Sequence, residues 1–216
     1  MNRNIEVDLL NYLQDPKLSR EVFAPAWKLK QDINETWAYD ENVFTKNQCE
    51  AIIKIGKNLK LKKSMVGGDD NHRGTLDDWR ISNNSWISPQ PGTAWIFGKL
   101  TNVILDINSK FFNFDITAFS EGLQFTEYES PGGKYDMHVD TMRGGSTRKL
   151  SITVQLSDMN DYEGGDFVIN VGNEIMIPKK QGMAVVFPSY MLHGVKPVTK
   201  GTRYSLVAWI DGPAFK

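Results

Sequence analysis

Residues 149–187 read KLSITVQLSDMNDYEGGDFVINVGNEIMIPKKQGMAVVF, and this stretch decides the fold. Lys149–Leu156, Asp166–Asn170, Glu174–Ile177 and Ala184–Phe187 are short β-prone runs, and Gly, Asn, Asp and Pro stand between them. That is the punctuation of strands joined by tight turns. Moving outward, Leu123–Tyr128 before this stretch and Thr202–Ile210 after it have the same character. Glycine divides the chain accordingly. Six of the eighteen lie in residues 1–121 and twelve in residues 122–216. Tight turns need glycine, so the second part reads as many short strands and the first as longer elements.

The first part yields two helices. Thr45-Lys46-Asn47-Gln48 is a Thr-x-x-Gln capping box, with Phe44 and Cys49 placed for a hydrophobic staple and Cys49, Ile52, Ile53 and Ile55 supplying an apolar face. After Pro91-Gly92, Ile96, Leu100, Val103, Ile104, Ile107 and Phe111 recur at three- and four-residue steps and form one stripe. Trp79–Ile87 reads as a strand, Met65–Gly74 as a loop and Asp8–Gln14 as a short helix, while Phe23, Trp27 and Trp37 supply aromatics to dock on the main body. Strands following helices predict an α+β fold: a jelly-roll (double-stranded β-helix) core with N-terminal helices buttressing one face. No linker or repeat divides the chain. One domain is expected over 1–216, with 1–121 mainly helical support with some strands and 122–212 the catalytic jelly-roll core.

Composition narrows the function. The chain has 216 residues, 40% hydrophobic and 24% charged, and its 25 basic and 26 acidic residues leave a net charge of −1. No basic excess is available to neutralise phosphates, which disfavours nucleic acid as a partner. The single Cys49 excludes a disulfide framework and a cysteine zinc site, and fits a reducing, cytoplasmic setting. Arg3, Glu6, Asp8 and Asp15 break any signal-peptide core, and the longest uncharged run, Ile81–Gly98, is too polar to span a bilayer.

The chain has three histidines, His72, His138 and His193. His72 sits beside Asp69 and Asp70 in a glycine-rich loop and reads as solvent-exposed. In His138-Val139-Asp140 an extended backbone sends the imidazole and the carboxylate to one face, because the strand period is two. With His193, 55 residues later, they make two histidines and one carboxylate, the facial triad of non-haem Fe(II) oxygenases. The pair alone also occurs as a hydrogen-bonded histidine beside a solvated aspartate. Arg203 and Ser205 add weight. On a strand they share a face with Val207 and Trp209, and an arginine inside a barrel is costly unless it meets an anion. A dicarboxylate reaching from a metal to Arg203 accounts for both features.

These motifs resemble the 2-oxoglutarate/Fe(II)-dependent dioxygenases, in their prolyl 4-hydroxylase-like branch. Tyr128-Glu129-Ser130-Pro131-Gly132-Gly133-Lys134-Tyr135-Asp136-Met137-His138-Val139-Asp140 is similar to the branch's tyrosine, glycine turn, second tyrosine and His-x-Asp. Tyr162-Glu163-Gly164-Gly165-Asp166-Phe167 looks like its Gly-Gly turn. The run from His193 through Pro197-Val198 and Gly201 to Arg203 matches its distal histidine and basic residue, and Trp79-Arg80-Ile81-Ser82 matches an earlier Arg-x-Ser strand. The resemblance implies that His138, Asp140 and His193 bind Fe(II), and that Arg203 meets the far carboxylate of 2-oxoglutarate. Tyr128 would contact the cosubstrate. Gln155 stands where the oxygen-sensing prolyl hydroxylases have another tyrosine, and its amide would donate to the same carboxylate. Ser205 matches the superfamily's Arg-x-Ser pattern. Tyr135, Arg148, Trp209 and Arg80 align near substrate, each with an ordinary alternative as a core or surface residue.

The implied reaction is hydroxylation coupled to decarboxylation of 2-oxoglutarate to succinate and CO2, consuming O2, with ascorbate as a reductant. A carboxylate at Asp140, where related halogenases have a small residue, favours hydroxylation. The expected substrate is a proline in a peptide or protein. A free amino acid or small metabolite is the competing substrate class, and a non-catalytic, cupin-like metal-binding protein is the non-enzyme alternative.

Overall fold

The structure, a computed structural model, describes residues 35–64, 78–141 and 147–215. The expectations for Asp8–Gln14, Phe23, Trp27, Met65–Gly74 and His72 lie outside the described residues. Two antiparallel sheets form the frame. The larger runs β1 (Ala38–Asp40), β11 (Ala184–Pro188), β7 (Arg148–Gln155), β13 (Val198–Asp211), β5 (Leu123–Glu129), β4 (Asn83–Ile87), β2 (Lys62–Lys63), with β8 (Tyr162–Gly164) also paired to β13. The smaller runs β10 (Glu174–Met176), β9 (Phe167–Asn170), β12 (Leu192–Val195), β6 (Lys134–His138), β3 (Arg80–Ile81). This is the expected jelly roll with helices on one face. Strands before residue 122 extend both sheets: β1, β2 and β4 the larger and β3 the smaller.

Period-two alternation sorts the side chains into two cores. Leu150, Ile152 and Val154 of β7, Leu206, Ala208 and Ile210 of β13, and Leu123 and Phe125 of β5 point toward the helices. They pack with Cys49 and Ile52 of α1 (Lys46–Asn58) and with Ile96, Leu100, Val103, Ile104 and Ile107 of α2 (Ala94–Ile107). Tyr128, Phe167, Ile169, Val185, Phe187, Val195 and Val198 form a second cluster, to which Trp37 and Tyr135 add partial cover.

Helix α1 starts as expected. Thr45 Oγ1 accepts from the Gln48 N–H, and Gln48 Oε1 accepts from the Thr45 N–H. The end of α2 departs from expectation. A π-helical turn, Asn108–Phe112, adds a residue to the helical repeat, and Phe112 is the buried ring while Phe111 is half-buried. Trp79–Ile87 is not one strand either. The chain breaks at Ser82, so Arg80–Ile81 pairs with β6 in the small sheet and Asn83–Ile87 pairs with β5 in the large one. Ser82 Oγ accepts from Arg80 Nε and donates to Ser64 Oγ, which anchors this crossing.

Candidate active site

The alternation on β5, β7 and β13 has an unusual consequence. The face opposite the helix-side apolar residues is polar, yet Gln124, Thr126, Ser151, Thr153, Gln155, Arg203 and Ser205 are all buried. Water normally covers the polar face of a half-buried strand; here the small sheet covers it. Buried polar groups need partners. A lining of this kind suits a polar ligand held between the sheets.

The triad is assembled on the small sheet. His138 ends β6 and His193 lies on β12, and the two are directly paired in register. The register then slips: Val195 pairs with Tyr135, so two steps on β12 match three on β6. This bulge puts Tyr135 on the side of His138 although they are three residues apart, and their rings stack with centroids 3.5 Å apart. Asp140 follows β6, its N–H donating to Ser189 O.

Both imidazoles are oriented the same way. Nδ1 of His138 is 2.8 Å from Asp136 O, and Nδ1 of His193 is 2.8 Å from Met191 O. A carbonyl can only accept, so each Nδ1 carries the proton and each Nε2 presents a lone pair. Those Nε2 atoms face Asp140, His138 at 3.6 Å from Oδ1 and His193 at 3.4 Å from Oδ2. One ligand atom from each of the three residues lies within 4.8 Å of the others. Ser151 Oγ donates to Asp140 Oδ2 at 2.6 Å and fixes the carboxylate.

The electrostatics agree. Burial, then the neighbouring His193, pushes the His138 pKa down to about 4, against the pull of Asp140. Burial acts to raise the pKa of Asp140, but both imidazoles, the Ser151 hydroxyl and the Trp209 indole outweigh it and hold the carboxyl below its usual range. At neutral pH His138 therefore stays neutral and Asp140 ionised, and with the Nε2 of His193 turned to the same point the three make a donor set that fits Fe(II).

Arg203 lies on β13 opposite Tyr128, its guanidinium carbon 5.5 Å from the tyrosine ring. It is 3% exposed, and its Nη1 has no hydrogen-bond partner among the described residues. An orphaned cationic N–H inside the roll fits the distal carboxylate of 2-oxoglutarate. Ser205, two residues on, is buried on the same face of β13.

Gln155 corrects an expectation. Its Nε2 donates to Ser157 O at 3.1 Å and to Tyr162 Oη at 2.9 Å, so both amide protons are committed and neither is left for a cosubstrate. Arg80 Nε donates to Ser82 and its Nη2 to Gln124 Oε1, and its guanidinium lies 4.5 Å from the Tyr135 ring. It braces Tyr135, which in turn lies on His138. Burial, chiefly, pushes the Tyr135 hydroxyl up to about 12.

Near Asp140, Trp209 is buried, its indole N–H without a hydrogen-bond partner of good geometry among the described residues. Arg148 lies 4.1 Å over the Trp209 ring, pairs with Glu121 and donates to Asp140 O. Trp86, 41% exposed, sits 6.1 Å from Trp209, and Trp79 sits 6.5 Å from Tyr135. Reading the sequence missed Ser151 as a site residue. The alternation Leu150-Ser151-Ile152-Thr153 was the available signal for Ser151, but its polar face looks solvent-facing until the second sheet is known.

Comparison with known proteins fits this geometry. Residues 123–211 match the model of the 2OG-Fe(II) oxygenase superfamily. A PKHD-type hydroxylase of Sphingopyxis alaskensis is 33% identical over 150 residues, covering 64% of this chain and 68% of that protein. A PKHD-type hydroxylase of Prochlorococcus marinus is 39% identical over 101 residues, 46% of this chain and 45% of that protein. Among solved structures, a Pseudomonas putida prolyl-4-hydroxylase aligns with a TM-score of 0.66 at 20% identity, over 83% of this chain and 94% of that one. A Trichoplax adhaerens prolyl hydroxylase, solved with a hypoxia-inducible-factor peptide fragment, aligns with a TM-score of 0.66 at 15% identity, over 82% and 84% of the two chains. At such identities the structures speak to the fold alone. Fold, triad and sequence relatives converge: the chain belongs to the 2-oxoglutarate/Fe(II)-dependent oxygenase superfamily, with the fold of the prolyl 4-hydroxylases.

Proposed function

We propose that the protein hydroxylates prolyl residues in a peptide or protein substrate, with Fe(II), 2-oxoglutarate and O2 as cofactor and cosubstrates and ascorbate as a supporting reductant. The observation that carries the reading is the conjunction of the three converging ligand atoms with the orphaned Nη1 of Arg203 in one polar interior. The metal, when bound, supplies oxygen activation and C–H oxidation coupled to loss of CO2 from the keto acid.

The chain's own residues do the rest. His138 Nε2, His193 Nε2 and an Asp140 oxygen would hold the ion, and Asp136 O, Met191 O and Ser151 Oγ keep them aimed. Arg203 would anchor the far end of 2-oxoglutarate, and Tyr128 would cover it. Phe167 and Phe187, 5.9 and 4.6 Å from the His193 ring, keep water from that side of the metal ligands. For the substrate, the preference for proline rests on two supports. The solved relatives include prolyl hydroxylases, one with a peptide bound. The aromatics Trp79, Tyr135, Trp86 and Trp209 suit an extended, proline-containing segment, which docks on such rings at low entropic cost.

The test is incubation with Fe(II), 2-oxoglutarate, O2, ascorbate and a proline-containing peptide library. The expected products are peptides heavier by one oxygen, with the added oxygen on proline, and stoichiometric succinate. Succinate release with oxidation confined to free amino acids would move the substrate to small molecules. No succinate release with any substrate would remove the enzymatic reading.

A further inference from the structure

The turn between β11 and β12, residues 188–191, touches two of the three triad residues. It is closed by a hydrogen bond from the Met191 N–H to Pro188 O at 2.8 Å. Met191 O faces Nδ1 of His193, and Ser189 O accepts from the N–H groups of Asp140 at 2.9 Å and Thr141 at 3.2 Å. The main chain of the turn thus aims the imidazole of one ligand and holds the backbone of another. The Ser189 N–H donates to Lys149 O at 2.9 Å, which ties the turn to β7. The Ser189 side chain adds a further connection. Its Oγ lies 3.0 Å from Oγ of Ser151 on β7, and that atom lies 2.6 Å from Asp140 Oδ2.

The direction of each hydrogen bond follows from a count of protons. A carboxylate that binds a metal is deprotonated and can only accept, so Ser151 spends its one hydroxyl proton on Oδ2. Towards Ser189, Ser151 Oγ can then only accept, and the Ser189 hydroxyl is the donor. Both serines are fully buried, so bulk water does not compete for either bond. Hydroxyls in such a chain polarise one another: accepting from Ser189 makes Ser151 a stronger donor to Asp140.

We infer that Ser189 is a positioning residue of the metal site, its hydroxyl holding the Asp140 carboxylate through Ser151 while its carbonyl holds the Asp140 main chain. The inference rests on the metal-binding reading above and deepens it. It gives the two buried serines one shared task, a relay of two protons that both point at the carboxylate.

The test is a double-mutant cycle read by metal affinity, with Mn(II) in place of oxidisable Fe(II) and a chelator as competitor. Ser189→Ala removes the hydroxyl and leaves both carbonyl contacts in place, so it isolates the relay. It should weaken Mn(II) binding about fivefold, the net worth of one hydrogen bond, and Ser151→Ala should weaken it about 10- to 100-fold. Added to Ser151→Ala, Ser189→Ala should change the affinity by less than about twofold, because the relay is already broken. A residue that merely packs the turn would cost the same factor in both backgrounds. Ser189→Cys, whose thiol is a weak donor, serves if the alanine variant does not fold, with the same dependence on Ser151. Unchanged Mn(II) affinity in Ser189→Ala, or an equal loss with and without the Ser151 hydroxyl, overturns the inference while leaving the metal-binding reading intact. Failure of the wild-type protein to bind Mn(II) overturns that reading, and this inference with it.

Discussion

Each metal-facing side chain is held by a second group that the sequence does not announce. Asp140 takes a hydrogen bond from Ser151 Oγ at 2.6 Å, and Ser151 also meets Ser189 Oγ at 3.0 Å. Ser151→Ala frees the carboxylate to turn, and metal affinity should fall about 10- to 100-fold, read by competition with a chelator. His193→Ala or Asp140→Ala should abolish stoichiometric metal retention on gel filtration. The pH response of the metal-free protein follows from His138. An unfolded histidine titrates near 6.5, whereas in the fold His138 stays neutral down to about 4. Between those values the unfolded chain binds a proton that the native state refuses. Stability present above that window is therefore lost as pH falls through it, by about 1 kcal/mol per pH unit. Urea midpoints of the metal-free protein at pH 7 and pH 5 should show the drop, and His138→Gln should flatten it. A midpoint that rose on acidification would contradict the buried neutral imidazole.

At the level of elements, the site depends on how α1 and the sheets are clamped. Gly56, in the last turn of α1, faces the Phe125 ring so closely that a Cβ would enter it, and Gly56 O accepts from Ser85 Oγ at 2.8 Å. Gly56→Ala must push α1 off β5, and a loss of about 1–3 kcal/mol is expected in denaturant melts despite alanine's better helix propensity. The helix start contributes less: Thr45→Ala removes half of the capping box and should cost about 1 kcal/mol. Burial raises the Cys49 thiol to about 11, so native protein should resist alkylation at pH 7.5 and react only when unfolded. These elements were legible because their signals are local. Thr45 and Gln48 lie three apart, and the α2 stripe follows one period. The π turn was not legible, since Phe111 and Phe112 are equally apolar and only packing selects between them. The split at Ser82 was hidden for a related reason. Arg80–Ile81 and Asn83–Ile87 are both β-prone, and which sheet each joins depends on partners 36–55 residues away.

Over the whole molecule, the site lies between two sheets that different parts of the chain supply, so ligands that bridge its parts should stabilise the fold. With metal present, 2-oxoglutarate at about 100 times its Kd should add about 2.7 kcal/mol to stability, seen as a concentration-dependent rise in Tm. Arg203→Ala should remove most of that rise and increase the 2-oxoglutarate KM while leaving metal retention unchanged. No helix of the described residues is long and apolar enough to cross a membrane. What the sequence by itself determined is the candidate chemistry: residue type and spacing mark His138, Asp140, His193 and Arg203 as a candidate ligand set with a cation beside it, and strand alternation states which neighbours share a face. What only the tertiary structure decided is which polar faces are inside and which protons are spent. Ser151 and Thr153 look like a wet face until the small sheet covers them, and Gln155 looks like a cosubstrate donor until Ser157 and Tyr162 are seen to take both of its protons. The reason is physical: a side chain's type sets what it can donate or accept, but its partners come from strands far along the chain, and hydrogen bonds are assigned only when those strands meet.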